Sequence, residues 1–235
     1  MYSVIIIGNN SFINKKKISP LSLLKIDDVG TDIISTQMAA IRRLKKYEII
    51  FVGDSLSNKL QKKWYKNYIY INANTKNTGH SLRMGLEKAK YCKIIIIHDN
   101  VIVCPSFFSF LNKDKNYIFA QGNKKSTKNN VGCCIYNGIV QQLFYDLPNK
   151  WAQIVYLGNG AVDKIKKLAC SDSTNCDYKF DFEIYNEVMQ DPEHQFNVSF
   201  KKTIIINSEK DLKEAKEYIY EGNFSDPKKS DRNRN

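Results

Sequence analysis

Apolar residues in this chain gather into short, nearly unbroken runs separated by longer amphipathic stretches. Ser3-Val-Ile-Ile-Ile-Gly8, Tyr47-Glu-Ile-Ile-Phe-Val52 and Lys93-Ile-Ile-Ile-Ile-His98 are β-branched runs of strand length. Continuous rather than alternating hydrophobicity predicts strands buried on both faces. Between them the period changes. Asp32 is placed to cap a helix that carries Ile34, Met38, Ile41 and Leu44 on one side. Leu56, Leu60 and Trp64 mark an amphipathic stretch before a short strand, Tyr68 to Ile71. Thr78 to Ser81 opens a further helix with Leu82, Leu86 and Ala89 on one face. Strand, helix, strand, helix, strand is the grammar of right-handed crossovers and a mainly parallel sheet. In such sheets ligands sit beyond the carboxyl ends of the strands. Gly8, Gly53 and Asp99 all fall there.

The second half is less regular. Tyr117 to Gln121 and Gly132 to Tyr136 read as strands around a polar connection, Gly122 to Asn130. Helices are expected over Val162 to Leu168 and Glu183 to Met189, and a buried strand over Thr203 to Ile206. Ser208-Glu-Lys-Asp211 has capping-box spacing ahead of a helix bearing Leu212, Ala215 and Ile219. No internal repeat is visible. The reading is one α/β domain over residues 1–220 and a disordered basic tail over 221–235.

Composition narrows the classes. Hydrophobic residues form 43% of the 235, enough for a packed core and too many for a disordered chain. No apolar run approaches the roughly 20 residues of a membrane span. The start, MYSVIIIGNN, lacks a basic region and a small-residue cleavage site, and reads as a first strand rather than a signal peptide. A formal charge of +12 attracts anions of every kind and chooses none of them. No nucleic-acid reader motif accompanies it. Of the six cysteines, none forms a Cys-x-x-Cys pair, and a zinc site is not expected. Cys92, Cys104, Cys133 and Cys134 lie in or beside apolar runs and read as reduced core residues, which suits the cytoplasm.

Several residues carry candidate chemistry, each with a plainer alternative. Asp99 ends a buried strand at the ligand edge, where a carboxylate can hold Mg²⁺ together with substrate phosphates. A strand-end Asp satisfied by loop amides is the alternative. His98 reads as a packed histidine. Asn77-Thr-Gly-His-Ser-Leu-Arg-Met-Gly85 runs from loop into helix, so Gly79 and Ser81 can offer free amides to an anion or base edge. An ordinary N-cap turn by Thr78 or Ser81 explains it equally. Gly8, Asn9, Asn10 and Ser11 follow the first strand, the place of a phosphate loop, with one glycine where nucleotide loops have two or three. Lys15, Lys16 and Lys17 can neutralise phosphate or simply be solvated. Trp151 with Tyr156, and Phe180 with Phe182 and Tyr185, can stack on a base or pack in the core.

Taken in order, Pro20-Leu-Ser-Leu-Leu-Lys-Ile26, the helix from Gln37 to Leu44, Glu48 to Gly53, Asn77-Thr-Gly79, Ser81-Leu82, Gly85-Leu86, Ile94 to Asp99 and Ile205 to Leu212 resemble the nucleotidyltransferase family. That family joins a nucleoside triphosphate to a sugar phosphate or phosphocholine and releases pyrophosphate. The collinearity over residues 3–219, not any single motif, carries the resemblance. It implies a Rossmann-like three-layer α/β fold with a mixed, mainly parallel sheet, of the nucleotide-diphospho-sugar transferase kind. It also implies Mg²⁺ at Asp99, and a nucleoside triphosphate and a phosphorylated acceptor as partners.

The departures bear on mechanism. Where the family has a glycine-rich loop with a basic residue, this chain has Gly8-Asn-Asn-Ser11; where it has Pro-Lys, this chain has Pro20-Leu21. The family's second metal carboxylate is replaced by Asn207. Lys15 and Lys16 stand in the same loop as possible substitutes for the missing lysine. Two other readings stay open: a non-catalytic nucleotide- or partner-binding relative, and a family-two-like glycosyltransferase. Against the latter, Asp99-Asn-Val101 lacks the second Asp of an Asp-x-Asp motif.

Overall fold

The computed structural model describes residues 1–8, 12–13, 16–17, 23–28, 30–53, 68–72, 77–111, 114–121, 130–158, 160–171 and 178–220, with 12–13 and 16–17 described in their backbone. The amphipathic stretch around Leu56, the Gly122 to Asn129 connection and the 221–235 tail lie outside the described residues.

The expected buried runs form the middle of the molecule. Strand β1 (Tyr2–Ile7) lies between β4 (Tyr47–Gly53) and β6 (Ile94–His98), parallel to both. Outside β4 runs β5 (Tyr68–Asn72), also parallel. Alternate residues of these strands feed opposite cores. Ile5, Ile7, Ile50, Val52 and Ile96 face Leu82 and Leu86 of helix α2 (Thr78–Lys88). Val4, Ile6, Ile49, Ile95 and Ile97 face Ile34, Met38 and Ile41 of helix α1 (Ile33–Ile41). A sheet covered on both faces must be apolar on both, which is why these strands read as unbroken runs. Asp32 caps α1 as expected, its Oδ1 accepting from the Ser35 N–H at 3.0 Å. At Gly85 the helix presses on the sheet: an added Cβ would stand 2.5 Å from Ile5 Cγ2.

The rest of the chain completes one mixed nine-stranded sheet. Its further strands are β8 (Asn116–Ala120), β9 (Val131–Tyr136), β10 (Ile139–Tyr145), β11 (Trp151–Leu157) and β12 (Phe196–Phe200). The order is β5-β4-β1-β6-β11-β8-β12-β10-β9. β11 is antiparallel to both β6 and β8, so β8 runs with β6, and β12 is parallel to β8. Helices α3 (Ala161–Ser171) and α4 (Asp181–Met189) join α2 on one face. Beyond α1, a small ladder of β7 (Val101–Val103) and β13 (Thr203–Ile205) meets helix α5 (Glu209–Tyr220) through Ile102, Ile206 and Ala215. A two-residue hairpin, β2 (Phe12–Ile13) with β3 (Lys16–Lys17), follows β1.

Three strands escape the sequence pattern. β10 is buried only at Val140 and Leu143, because a bulge between Val140 and Gln142 breaks the alternation. β11 shifts register between Trp151 and Val155, with Gln153 at φ +58°. β12 is half-exposed over most of its length. The Asn137–Gly138 turn, φ +49° and +76°, is the local signal for the β9–β10 hairpin. The cysteine reading also needs correction: Cys133 is buried, Cys104 half-buried, and Cys92 and Cys134 are exposed. Period-two alternation turns Cys134 outward from its neighbour. Trp151, Tyr156, Phe182 and Tyr185 are core residues, and Phe180 is exposed.

Candidate functional site

Three strand ends converge. The Gly8 N–H donates to the Val52 carbonyl at 2.7 Å, and the Asp99 N–H to the Ile7 carbonyl at 2.9 Å. An added Cβ on Gly8 would lie 3.2 Å from the Val52 carbonyl, 3.3 Å from Gly53 Cα and 3.8 Å from Asp99 Oδ2. Glycine therefore lets the β1 end close against β4 and the Asp99 carboxylate. The sheet thus brings Gly8, Gly53 and Asp99 to one point, and Asp99 is only 2% exposed.

The turn that carries Asp99 is gripped from several elements. From α1, Gln37 Nε2 donates to the carbonyls of His98 and Val101, at 2.9 and 2.8 Å. From α4, Asp181 Oδ2 meets His98 Nε2 at 2.8 Å, both side chains being almost wholly buried. An ionised carboxylate only accepts, so Nε2 carries the proton there. The imidazole stands edge-on to Trp151, ring centroids 5.4 Å apart, which is a packed histidine as expected. From the β13 side, Ile206 N–H donates to the Asn100 carbonyl at 2.9 Å, and Asn100 Nδ2 to Asn207 Oδ1 at 2.9 Å. Asn207 is exposed, beside the turn but outside the core.

The start of α2 belongs to the same network. Thr78 Oγ1 donates to Asp181 Oδ1 at 2.7 Å and accepts from the Asp181 N–H at 3.1 Å. The cap is Asn77, whose Oδ1 accepts from the His80 N–H at 2.9 Å, rather than Thr78 or Ser81. Gly79 and Ser81 are buried in the first turn, and the Ser81 hydroxyl donates to the Asn77 carbonyl at 3.3 Å. Burial first, and the Asp181 carboxylate second, push the Tyr185 phenol well above its ordinary value.

Of the residues singled out in the sequence, Gly8 and Asp99 are adjacent. Gly79 and Ser81 connect to Asp99 through Thr78, Asp181 and His98, and Asn207 through Asn100. Asn9, Asn10, Ser11, Lys15 and Leu21 lie outside the described residues; Lys16 is placed by its backbone in β3. Gln37, Asn100 and Asp181 are the contributors that the sequence pattern did not single out for the site. Asp181 opens a helix and so looks like an ordinary first-turn acid. Its partners stand 83 and 103 residues away, and no local spacing reveals them.

The candidate donors at these strand ends are hard oxygens. Among the described residues no three His, Cys, Asp or Glu side chains cluster as metal ligands. Mg²⁺ needs no such cluster: it keeps waters and takes one or two carboxylates plus substrate phosphates. Asp99, with the Asn207 amide oxygen on the next residue of the turn, Asn100, fits that requirement. Asn207 Oδ1 already accepts one hydrogen bond and keeps a second lone pair.

No family model matches the chain, and no curated protein matches it in sequence. Solved structures do match. The CTP:phosphocholine cytidylyltransferase of Streptococcus pneumoniae superposes with TM-score 0.73 at 13% identity, over 93% of this chain and 99% of that one. The inositol-1-phosphate CTP transferase of T. maritima gives 0.68 at 11% identity, over 94% and 96%. HddC of Yersinia pseudotuberculosis, complexed with GMP-PN, gives 0.65 at 16% identity, over 93% and 100%. At such identities the likeness is one of architecture, and this chain carries the Rossmann-like α/β fold of the nucleotidyltransferases.

Proposed function

We propose that the chain binds a nucleoside triphosphate at the carboxyl edge of its sheet and transfers the nucleotidyl group to a phosphorylated acceptor. The observation that carries this reading is the meeting of Gly8, Gly53 and the buried Asp99 at one strand-end point. A fold that matches nucleotidyltransferases almost end to end supports it. In the reaction, an acceptor phosphate oxygen bonds to the α-phosphorus of the triphosphate. The bond from that phosphorus to the bridging oxygen breaks, and pyrophosphate leaves. Asp99, with Asn207, would hold Mg²⁺, which when bound neutralises phosphate charge. The chain's own part is orientation. Gln37 and Asp181 fix the Asp99 turn, and Gly8 allows close approach of the β1 end; in the first turn of α2 the His80 and Ser81 N–H groups are taken up by Asn77, so that turn contributes position rather than those amides.

Turnover is proposed to be slow or absent, because Leu21 brings no charge and Asn207 brings a neutral oxygen. Each lost charge contact costs several kcal/mol at a phosphoryl transition state, on the order of a hundredfold or more in rate. Nucleotide contacts made by backbone groups survive such losses, so binding should outlast catalysis. The glycosyltransferase reading is disfavoured by Val101, which is wholly buried in β7 where a second carboxylate would have to meet a metal.

Calorimetric titration with each nucleoside triphosphate and Mg²⁺ tests binding. Pyrophosphate release with a panel of phosphorylated acceptors tests chemistry. Asp99→Ala should abolish the metal-dependent part of nucleotide affinity. Leu21→Lys combined with Asn207→Asp should raise release. If no nucleotide binds at all, the proposal fails.

A further inference from the structure

The sheet has a second concave end. A cavity of about 430 Å³ opens at its amino edge, where β1, β4 and β6 begin. We propose that this cavity binds a phosphate ester of a flat aromatic body, of mononucleotide size, separately from the carboxyl-edge site and independently of the nucleotidyl-transfer reading.

The topology collects the charge. Arg42-Arg-Leu-Lys-Lys46 leads from α1 into β4, and Lys93 leads into β6 from the α2 side. β1 lies between β4 and β6 and parallel to both, so the two loops reach the sheet on either side of its start. The ladder fixes them there. The Tyr2 N–H donates to the Lys46 carbonyl at 3.0 Å, and the Ser3 N–H to the Lys93 carbonyl at 2.9 Å. The turn after α1 is tied down as well, the Leu44 N–H donating to the Ile41 carbonyl at 2.9 Å. Leu44 is buried, while Arg43, Lys45 and Lys46 around it are exposed. Arg43, Lys45, Lys46 and Lys93 all line the cavity, and no Asp or Glu is among the described residues that do.

Carboxylates in the neighbourhood do not cancel this charge. Glu48, early in β4, takes the opposite face, where its Oε1 accepts from the Ser3 hydroxyl and, at 2.8 Å, from the Lys90 N–H. Asp114 acts on the Tyr156 phenol, behind Tyr2, and does not line the cavity. Among the described residues, ion pairs engage Lys25, Lys164, Lys179 and Lys210, and none of the three lysines here. A cleft lined by one sign of charge focuses its field on a counter-ion. Lysines meet phosphate as point charges.

The floor selects the rest of the ligand. Tyr2, Leu44, Phe108 and Leu111 form it, with Leu44 8% and Phe108 4% exposed. Such a surface packs or stacks against a flat apolar ring. The volume lies within the roughly 300–1,000 Å³ of small-molecule sites. A bilayer or a nucleic-acid duplex cannot enter a concavity of that size; one ring with its phosphate can. The cavity is also out of reach of the other edge. β6 is five residues long, and Lys93 and Asp99 flank it, so they stand about 20 Å apart.

The experiment titrates 1-naphthyl phosphate, 1-naphthol, inorganic phosphate, AMP and CMP into the full chain by calorimetry, without Mg²⁺. The same titrations use Lys46→Gln combined with Lys93→Gln, neither residue being buried. Two controls are Lys210→Gln, exposed on α5, and Asp99→Ala at the opposite edge. 1-Naphthyl phosphate should bind about tenfold or more tightly than 1-naphthol or inorganic phosphate. The double variant should lose that advantage, and both controls should keep it. Added salt should weaken 1-naphthyl phosphate and leave 1-naphthol unchanged. AMP or CMP binding with the same dependence on Lys46 and Lys93 assigns the cavity to a nucleotide; binding of 1-naphthyl phosphate alone assigns it to another aromatic phosphate. The proposal is overturned if 1-naphthyl phosphate does not bind, if 1-naphthol or inorganic phosphate binds as tightly, or if the double variant binds like the unaltered chain. Loss of the probe in Asp99→Ala alone places it at the carboxyl edge and overturns the proposal too, while the nucleotidyl-transfer reading keeps its own test.

Discussion

The turn at Asp99 and the β9–β10 hairpin differ in how much of their shape rests on buried polar contacts. At the turn, His98, Asp99, Asn100, Gln37 and Asp181 are polar and almost wholly buried, and hydrogen bonds join Gln37 and Asp181 to it from separate helices. The hairpin relies on its ladder and on one side-chain clamp, Asn186 of α4 meeting the Leu143 N–H and carbonyl at 2.8 Å each, and leaves Tyr136 68% and Phe144 53% exposed. Every non-glycine residue with positive φ among the described residues lies between Asn137 and Gln153, on or beside that hairpin and β11. Buried polar contacts are costly to leave unpaired, so they constrain geometry strongly. Backbone irregularity has been kept away from the place where a carboxylate needs a fixed direction.

The largest expected effect is on the buried network. Asp181→Ala leaves the His98 N–H and the Thr78 hydroxyl without this shared partner, and each buried donor left unpaired costs about 1–3 kcal/mol. Urea unfolding should show a clearly lower midpoint with an unchanged slope. An unaltered midpoint would mean that the network holds nothing together. Gln37→Leu comes next. It conserves bulk but strips the His98 and Val101 carbonyls of their donor, and each buried group left unpaired costs about 1–3 kcal/mol. Its second readout is nucleotide affinity, which should fall if the turn has loosened; a loss of stability with affinity intact would separate the clamp from the site.

The hairpin should respond less. Gly138 has φ +76° and open space where a Cβ would go. Gly138→Ala therefore costs backbone strain alone, on the order of 1 kcal/mol, and should leave nucleotide affinity unchanged. A loss as large as that of Asp181→Ala would erase the contrast between the two regions.

That contrast also explains what was legible in the sequence. β1, β4 and β6 are buried on both faces, so composition alone marks them, and strand-end placement then picks out Gly8 and Asp99. The helix caps at Asp32 and Ser208 are local as well: the Ser208 Oγ accepts from the Asp211 N–H at 3.2 Å, and the Asp211 carboxylate returns to the Asn207 N–H at 2.9 Å. β10 and β11 were hidden because a bulge or a register shift interrupts the alternation on which pattern reading depends. Asp181 was hidden for another reason. It matters through partners more than eighty residues distant, and a single sequence has no term for such a pairing. The Asn137–Gly138 signal, by contrast, was local and open to recognition.

The smallest effect belongs to the two cysteines of β9, and it tests the alternation directly. Cys133 is wholly buried, and burial first, with the neighbouring Cys134 second, pushes its thiol up to about 12. Cys134, one residue on, is exposed. Thiolate is the reactive form, so between pH 7 and 9 a neutral alkylating reagent should label Cys134 in the folded chain and spare Cys133. Cys133 should react only once the chain is unfolded, where its thiol regains an ordinary value near 8.5. The raised value also fixes a sign. The folded chain holds the Cys133 proton that the unfolded chain releases, so this residue's contribution to stability is full below the ordinary thiol range and declines as pH rises through and above it. Cys134→Ser should change stability by no more than about 0.5 kcal/mol, as expected for an exposed position. Equal labelling of the two thiols in the folded chain, followed by mass spectrometry of the β9 peptide, would show that this hairpin does not pack its inner face as described.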